Sequence, residues 1–478
     1  MKQIARKLLG KGYLAWLDQI GLVQFGVACL FCTMLWLAGG LKAQTVIQKR
    51  DPAIAAMVEQ VSAQNIEAII RKLVSFHTRH SLSDTVSSQH GIGAARRWIK
   101  SELEKYARDS GGRLKVEFDP FVLEPDGRRV TRKVRMKNVL ATLPGTDSKD
   151  SRIFIVSGHY DSRASKANDD TSFAPGANDD ASGTAVSMEL ARVMSRRSFS
   201  ATLIFATVPG EEQGLFGSTH LAQRARDEGW NVAGMITNDI VGNSRGGGTN
   251  LFDNTHLRVF SEGVPAAESE RQARLRRSVG SENDSPARQF ARYIKEVGER
   301  YVDQMNVVMI YRRDRFLRGG DHTPFSRQGF AAVRFSEMNE DFTHQHQDVR
   351  EENGVQYGDL PQFVDFDYIV KVARVNLAVL ANLALAPAKP ESVGIVVSGL
   401  TNDTTLRWKA PQGRAPQGYY VLMRETTSPF WQRKLYVGNV QETTLPYSKD
   451  NYIFAVQSVD ASGHESLPVF PRPVRIAQ

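Results

Sequence analysis

Three apolar runs in the middle of the chain each end in carboxylates or histidine: RIFIVSGHYD in His159 and Asp161, ATLIFATVPGEE in Glu211 and Glu212, and GMITND in Asp239. GANDDASG, between the first two, carries Asp179 and Asp180, and FTHQHQDVR, farther along, carries His344 and His346. Carboxylate and imidazole donors in this number suit a pair of divalent ions: one carboxylate bridges, others ligate each ion, and an open position takes water. Adjacent side chains on an extended loop diverge, so one of Glu211 and Glu212 can ligate while its neighbour faces the substrate as a general base. Each motif alone has a plainer reading: HxD as a surface pair, GEE as a solvated loop, NDDASG as a helix N-cap with an acidic first turn. Their succession, with three of them at strand ends, is what argues for a metallohydrolase. Other hydrolytic or phosphate-binding chemistries find no support, because GxSxG, HExxH and a Gly-rich loop followed by Lys are missing.

The elements that must position these residues follow from the apolar pattern. Runs rich in Val, Ile and Phe predict buried strands of a parallel sheet, whose ligand site lies beyond the carboxyl ends. The fold class expected is α/β, a mixed, largely parallel central sheet with helices on both faces, plus a small C-terminal all-β sandwich. Residues 51–108 show helical spacing on either side of a polar loop whose His77, His80 and His90 read as surface histidines. RLKVEFDPFVLEPDGRRVTRKVRMKNVLATLPG alternates like an antiparallel edge around a PDG turn. Its Arg128, Arg129, Arg132, Lys133 and Arg135 read as a solvated strand face guarding that edge. Residues 245–318 read as a charged surface insertion plus one helix, and Arg312 to Arg318 as a solvated cationic loop. Strands VVMIY and AAVRFSE follow, with Asp321 and His322 between them in a supporting, non-ligand role. The helical run FDYIVKVARVNLAVLANLALA closes the domain before APAKP.

At 478 residues, 41% of them hydrophobic, the chain is long enough for two or three domains. The net charge of +9 is partly local, since Lys2, Arg6, Lys7 and Lys11 face only Asp18 near the start, and it does not mark a nucleic-acid-binding face. Residues 21–41 carry no charge and are long enough to cross a bilayer. Preceding basic residues keep the amino terminus cytoplasmic and send the bulk of the chain to the exported side, periplasmic or extracellular. An uncleaved anchor competes with a signal sequence cut near Ala43, and the length of the run favours the anchor. Cys29 and Cys32, the only cysteines, sit inside this run as small apolar residues rather than a redox pair. From 391 onward, short strands punctuated by turns predict a sandwich that resembles a fibronectin type III module, with Trp408 on its second strand. Structural spacing and contact with a protein or polysaccharide are both open roles for it.

GHYDS, GANDDASGTA, GEEQGLFGS, TNDIVGN and THQHQD together resemble the co-catalytic zinc aminopeptidases and their relatives, the M28 metallopeptidases, over roughly residues 54–385. Added to the charge, apolar-run and strand-pattern readings, the resemblance completes the domain order 1–20 cytoplasmic basic tail, 21–41 transmembrane anchor or signal segment, 51–386 M28-like metallopeptidase domain and 391–478 fibronectin type III-like sandwich. It implies His159 and Asp239 as ligands of one metal, Glu212 and His344 of the other, Asp179 as the bridging carboxylate and Glu211 as the base. Asp161 is similar to the group that orients the neighbouring ligand histidine. His344 is preferred because Asp348 stands four residues later, with His346 as the alternative. The cofactor implied is two divalent ions, zinc first, with manganese or cobalt also compatible with the donors. The implied activity is removal of residues from peptide or protein N-termini. A glutaminyl cyclase-like acyltransferase and an inactive membrane-tethered receptor or adhesion ectodomain are the competing readings.

Overall fold

The computed structural model describes residues 50–475; the proposed anchor or signal segment and both cysteines lie outside them. The described chain opens with helices α1 (Pro52–Val58), α2 (Ala63–Val74) and α3 (Gly91–Asp109). Asp51 and Ser62 cap the first two through side-chain oxygens that accept backbone N–H groups. Ile66, Ile69, Ile70 and Leu73 of α2 fall on one face and are buried. Next come β1 (Lys115–Leu123), β2 (Val134–Leu143), β3 (Arg152–His159), α4 (Ala181–Met194), β4 (Thr202–Val208), α5 (Glu211–Gly214), α6 (Phe216–Asp227) and β5 (Asn231–Asn238). This part of the chain closes with β6 (His256–Ser261), α7 (Glu270–Val279), α8 (Pro286–Tyr301), β7 (Asn306–Ile310), α9 (His322–Arg327), β8 (Ala332–Glu337), β9 (Arg350–Glu352), β10 (Val355–Tyr357) and α10 (Phe366–Leu385).

Eight strands form one sheet in the order β1-β2-β4-β3-β5-β8-β6-β7. The inner strands β4, β3, β5 and β8 run parallel, and β1 and β2 form the antiparallel edge. Alternation along β3 feeds two cores: Phe154 and Val156 pack toward α2, α4 and α10, while Ile155 packs with Leu221, Ala222 and Phe325 of α6 and α9. The sheet is thus covered on both faces, which is why its central strands read as unbroken apolar runs. By length and composition α10 could span a membrane, but 83% of its apolar window is buried, so it is the core helix under the sheet.

Three sequence expectations need correction. The stretch after residue 245 is more than an insertion, because β6 lies in it and pairs with β7 and β8. Arg258 disguised the strand: its guanidinium pairs with Glu340 and lies over the Phe260 ring, while Leu257 and Val259 face inward. Arg128, Arg129, Arg132 and Lys133 belong to the loop joining β1 and β2 rather than to a strand face. His80 is no surface histidine; it is fully buried, with its ring nitrogens against Leu82 N, Ala167 O and the Gln213 side chain.

Beyond Pro390 the chain forms β11 (Glu391–Val396), β12 (Thr404–Lys409), β13 (Gly418–Glu425), β14 (Arg433–Gly438), β15 (Glu442–Leu445), β16 (Tyr452–Val459) and β17 (Arg472–Val474). They make a four-stranded sheet, β15-β12-β11-β17, and a three-stranded sheet, β14-β13-β16. Leu406, Trp408, Tyr419, Val421, Phe454 and Val456 form the apolar layer between them. This is the small all-β sandwich that the alternation predicted.

Candidate metal centre and active site

The site forms where β3, β4 and β5 end. His159 is the last residue of β3, Glu211 and Glu212 begin the short α5 just after β4, and Asp239 directly follows β5. Glycines let the first turn of α4 settle between these ends. A Cβ on Gly158 would lie 2.2 Å from the Gly183 carbonyl carbon, and one on Gly183 would lie 2.0 Å from Asn238 O. Asp180, the N-cap of α4, accepts hydrogen bonds from Gly183 N (3.0 Å), His159 N (2.9 Å) and Ile240 N (3.3 Å), which ties the helix to both strand ends. Asp179, one residue earlier, is thereby aimed into the crevice.

Asp179 faces two sides at once. Its Oδ1 is 3.1 Å from His159 Nε2, and its Oδ2 is 3.0 Å from His346 Nε2. His346 Nε2 is also 2.9 Å from Glu212 Oε1, and His159 Nε2 is 4.0 Å from Asp239 Oδ1. Two groups that could each hold a metal ion, His159–Asp179–Asp239 and Asp179–Glu212–His346, therefore share one carboxylate.

The donor atoms fit a cation. His159 Nδ1 faces Asp161, 3.2 Å from its carbonyl oxygen and 3.4 Å from Oδ1, two acceptors that favour the ring proton on Nδ1, the tautomer in which Nε2 has a lone pair free for an ion. That Nε2 and Asp239 Oδ2 are buried and make no hydrogen bond. Two acceptors 3.1 Å apart need a positive charge between them. With no ion, the ring itself must supply it: burial opposes its charge, but Asp180, Asp161 and Asp179 hold its pKa well above the ordinary value. His346 behaves alike, pushed up to about 10 by Glu212 and Asp179 in spite of burial. A divalent ion at each cluster would replace those protons, and the nitrogen and oxygen donors without thiolate suit zinc.

Glu211 contributes no atom to either cluster and lines the pocket beside them, where burial pushes its carboxyl well above the usual range. Asp161 does two things: it faces His159, and it accepts the backbone N–H groups of Glu211 (3.4 Å) and Glu212 (3.2 Å). His159, Asp161, Asp179, Glu211, Glu212 and Asp239 are thus brought together. His344 is not. Its ring stacks on Phe363 at 3.8 Å, away from both clusters, while His346, with a left-handed φ of 55°, turns its ring inward. Asp348, whose spacing favoured His344, instead accepts Ser165 N at 3.1 Å.

Several residues that hold the site were not picked out from the sequence. Asp359 accepts the backbone N–H groups of Asn178 and Asp179, and burial pushes its carboxyl up to about 7. Arg79, fully buried, donates to the carbonyls of Tyr160, Pro175 and Gly176 and so joins the loops that carry Asp161 and Asp179. Gln345 donates to Asp179 Oδ2 at 3.0 Å. Arg334 pairs with Asp239 Oδ1 at 2.9 Å and with Asp314 at 3.3 Å. A charged residue inside AAVRFSE, an otherwise apolar strand, was the available signal for Arg334. Asp321 and His322 are buried at the start of α9; His322 Nε2 lies 2.7 Å from Arg313 O, and neither residue joins a ligand cluster.

Comparison with known proteins gives the family. The family model for peptidase family M28 matches residues 138–356, which contain every residue of both clusters. A probable zinc metalloprotease of Leptosphaeria maculans is 51% identical over 423 residues, 88% of this chain and 97% of that relative. Another, from Pyrenophora teres f. teres, is 47% identical over 440 residues, 92% of this chain and 90% of the relative. Among solved structures, Legionella pneumophila LapA superposes with a TM-score of 0.51 at 18% identity over 71% of this chain and 79% of its own, a likeness of fold. With identity of this extent over nearly the full length of its relatives, the chain belongs to peptidase family M28.

Proposed function

We propose that this protein is a two-metal exopeptidase that removes residues from the N-termini of peptides. The observation that carries the reading is the Asp179 carboxylate, with one oxygen on each side of a divided ligand set. His159 and Asp239 would hold one ion and Glu212 and His346 the other, with Asp179 between. Bound there, a zinc pair supplies Lewis acidity to the scissile carbonyl and acidity to the attacking water. Glu211 takes the proton from that water and passes it to the leaving amine. Its carboxyl lines the pocket beside both clusters and belongs to neither, the place such a group must take. Asp161 keeps the His159 tautomer and fixes the Glu211–Glu212 backbone. The preference for an end of the substrate rests on the resemblance to co-catalytic aminopeptidases, and a pocket of about 320 Å³ suits one residue better than a length of chain.

The uncharged stretch at 21–41 supports placing this unit on the exported side of a membrane, and the two C-terminal sheets support a fibronectin type III-like module. The mechanism is tested with Glu211→Gln. Two zinc ions per chain by mass spectrometry, with hydrolysis of amino-acid p-nitroanilides down by about 10²–10⁴-fold, is the expected result. Retained turnover would remove Glu211 from the mechanism. Release of ammonia from an N-terminal glutamine peptide, in place of a free amino acid, would mark a cyclase.

A further inference from the structure

The pocket over the metal centre is walled by cations. Arg129 enters from the loop between β1 and β2, Arg163 from the loop after β3, and Arg315 and Arg318 from the loop before α9. They face the four carboxylates of Asp179, Glu211, Glu212 and Asp239 across the same space. Three of them, Asp179, Glu212 and Asp239, are those a pair of divalent ions would neutralise, which would leave four guanidinium groups against the Glu211 carboxyl. For Arg129 and Arg163 the partners do not absorb the charge. Arg129 donates to the Glu212 carbonyl at 2.7 Å, and Arg163 to the carbonyls of Ala164 and Ser165, neutral acceptors in each case. Arg318 stands 3.7 Å from Glu340, whose other contacts are Arg315 and Arg258. Arg315 is fixed by Asp314 and Glu340 and serves as the rigid wall. Arginines from three loops thus line one small cavity, and a guanidinium fork matches the planar geometry of a carboxylate.

We infer that this arginine-lined pocket selects substrates carrying a carboxylate beside the scissile bond; the inference rests on the exopeptidase reading. Two sources have the same chemistry: an acidic side chain on the N-terminal residue, or the α-carboxylate of a dipeptide. Arg163 and Arg318 set the preference, since Arg129 is held by the Glu212 carbonyl and Arg315 by Asp314 and Glu340, while Arg163 meets only neutral carbonyls and Arg318 shares Glu340 with two other arginines.

The test compares kcat/KM of the zinc-loaded full chain for Glu- against Gln-p-nitroanilide, and for Leu-Gly against Leu-Gly-amide. A preference of about tenfold or more for the anionic member of either pair, falling toward unity in Arg163→Gln and Arg318→Gln, is the expected result, and the pair that shows it names the source. Zinc content and unfolding midpoint, measured in both variants, separate lost selectivity from lost structure. Binding is read independently of turnover: L-glutamate should raise the unfolding midpoint more than L-glutamine, less so in the variants. Hydrolysis without preference in either pair overturns the inference and leaves the exopeptidase reading standing. Absence of hydrolysis on all four substrates overturns that reading, and the L-glutamate shift then decides the pocket's selectivity by itself, equal shifts for the two amino acids overturning it.

Discussion

The candidate ligand set was legible residue by residue only where a strand fixed it. His159, Glu212 and Asp239 follow the ends of buried strands, so their direction is set by the sheet and their types could be read as a constellation. The last histidine sits on a loop, where one backbone dihedral decides which ring faces the crevice. His346 at φ 55° points to Asp179 and Glu212, whereas two residues earlier His344 is spent against Phe363. Spacing to Asp348 carried no information because Asp348 binds the loop after β3. The two histidines therefore separate cleanly by substitution. His346→Ala should lose one of two zinc ions per chain and lower activity by about 10²-fold or more, while His344→Ala should keep both ions. Metal content of dialysed protein checks this, and loss of an ion from the His344 variant would restore the spacing argument.

At the scale of elements, the strand-end geometry depends on backbones approaching more closely than side chains allow. β3, α4 and β5 meet at Gly158, Gly183 and Asn238, with distances from an added Cβ that force a shift of backbone rather than of a flexible side chain. Gly158→Ala should therefore cost about 1–3 kcal/mol of stability, measured by urea unfolding, and lower turnover by displacing His159. An unchanged midpoint with normal turnover would show that the helix can lift without moving the ligands. The parallel core β4-β3-β5-β8 was readable because strands buried on both faces are apolar throughout. β6 was not readable, because Arg258 finds Glu340 in a distant loop and a partner of that kind leaves no trace in the local pattern. The loop between β1 and β2 misled for a related reason. Its basic residues resemble an edge-strand face, yet Arg132 binds Asp170 and the Leu82 carbonyl, and Arg129 reaches the Glu212 backbone. Long side chains that cross between elements are invisible to periodicity.

At the scale of the whole described molecule, the C-terminal sandwich is locked to helix α8 through buried charge. Asp284, just before α8, accepts Arg292 at 3.0 Å and Arg424 of β13 at 2.7 Å, and Lys434 of β14 lies between Glu296 of α8 and Glu465. A further clasp joins the two ends of the described chain. His464 sets Nδ1 2.9 Å from Asp460 and Nε2 2.8 Å from Asp51, the N-cap of α1. Both ring nitrogens can donate only when the imidazole is charged. Burial disfavours that charge, but the hydrogen bonds and charges of Asp460 and Asp51 outweigh it, so the folded pKa is raised. Asp460 shifts the other way: burial raises its carboxyl, and His464 more than compensates, holding it below its ordinary value. For His464 the stabilisation is complete below the unfolded value of about 6.5 and is lost as pH rises through the higher folded value. For Asp460 it is complete above about 3.9 and is lost as pH falls through the lower folded value. The clasp is therefore strongest between about pH 4 and 6.5. His464→Gln should cost about 1–3 kcal/mol within that window, and its deficit against the unsubstituted protein should shrink as the pH is raised beyond it. Urea unfolding of both proteins across pH 5 to 9.5 reads the difference directly, and a deficit that stays constant over that range would mean that the ring holds the two ends together without its charge.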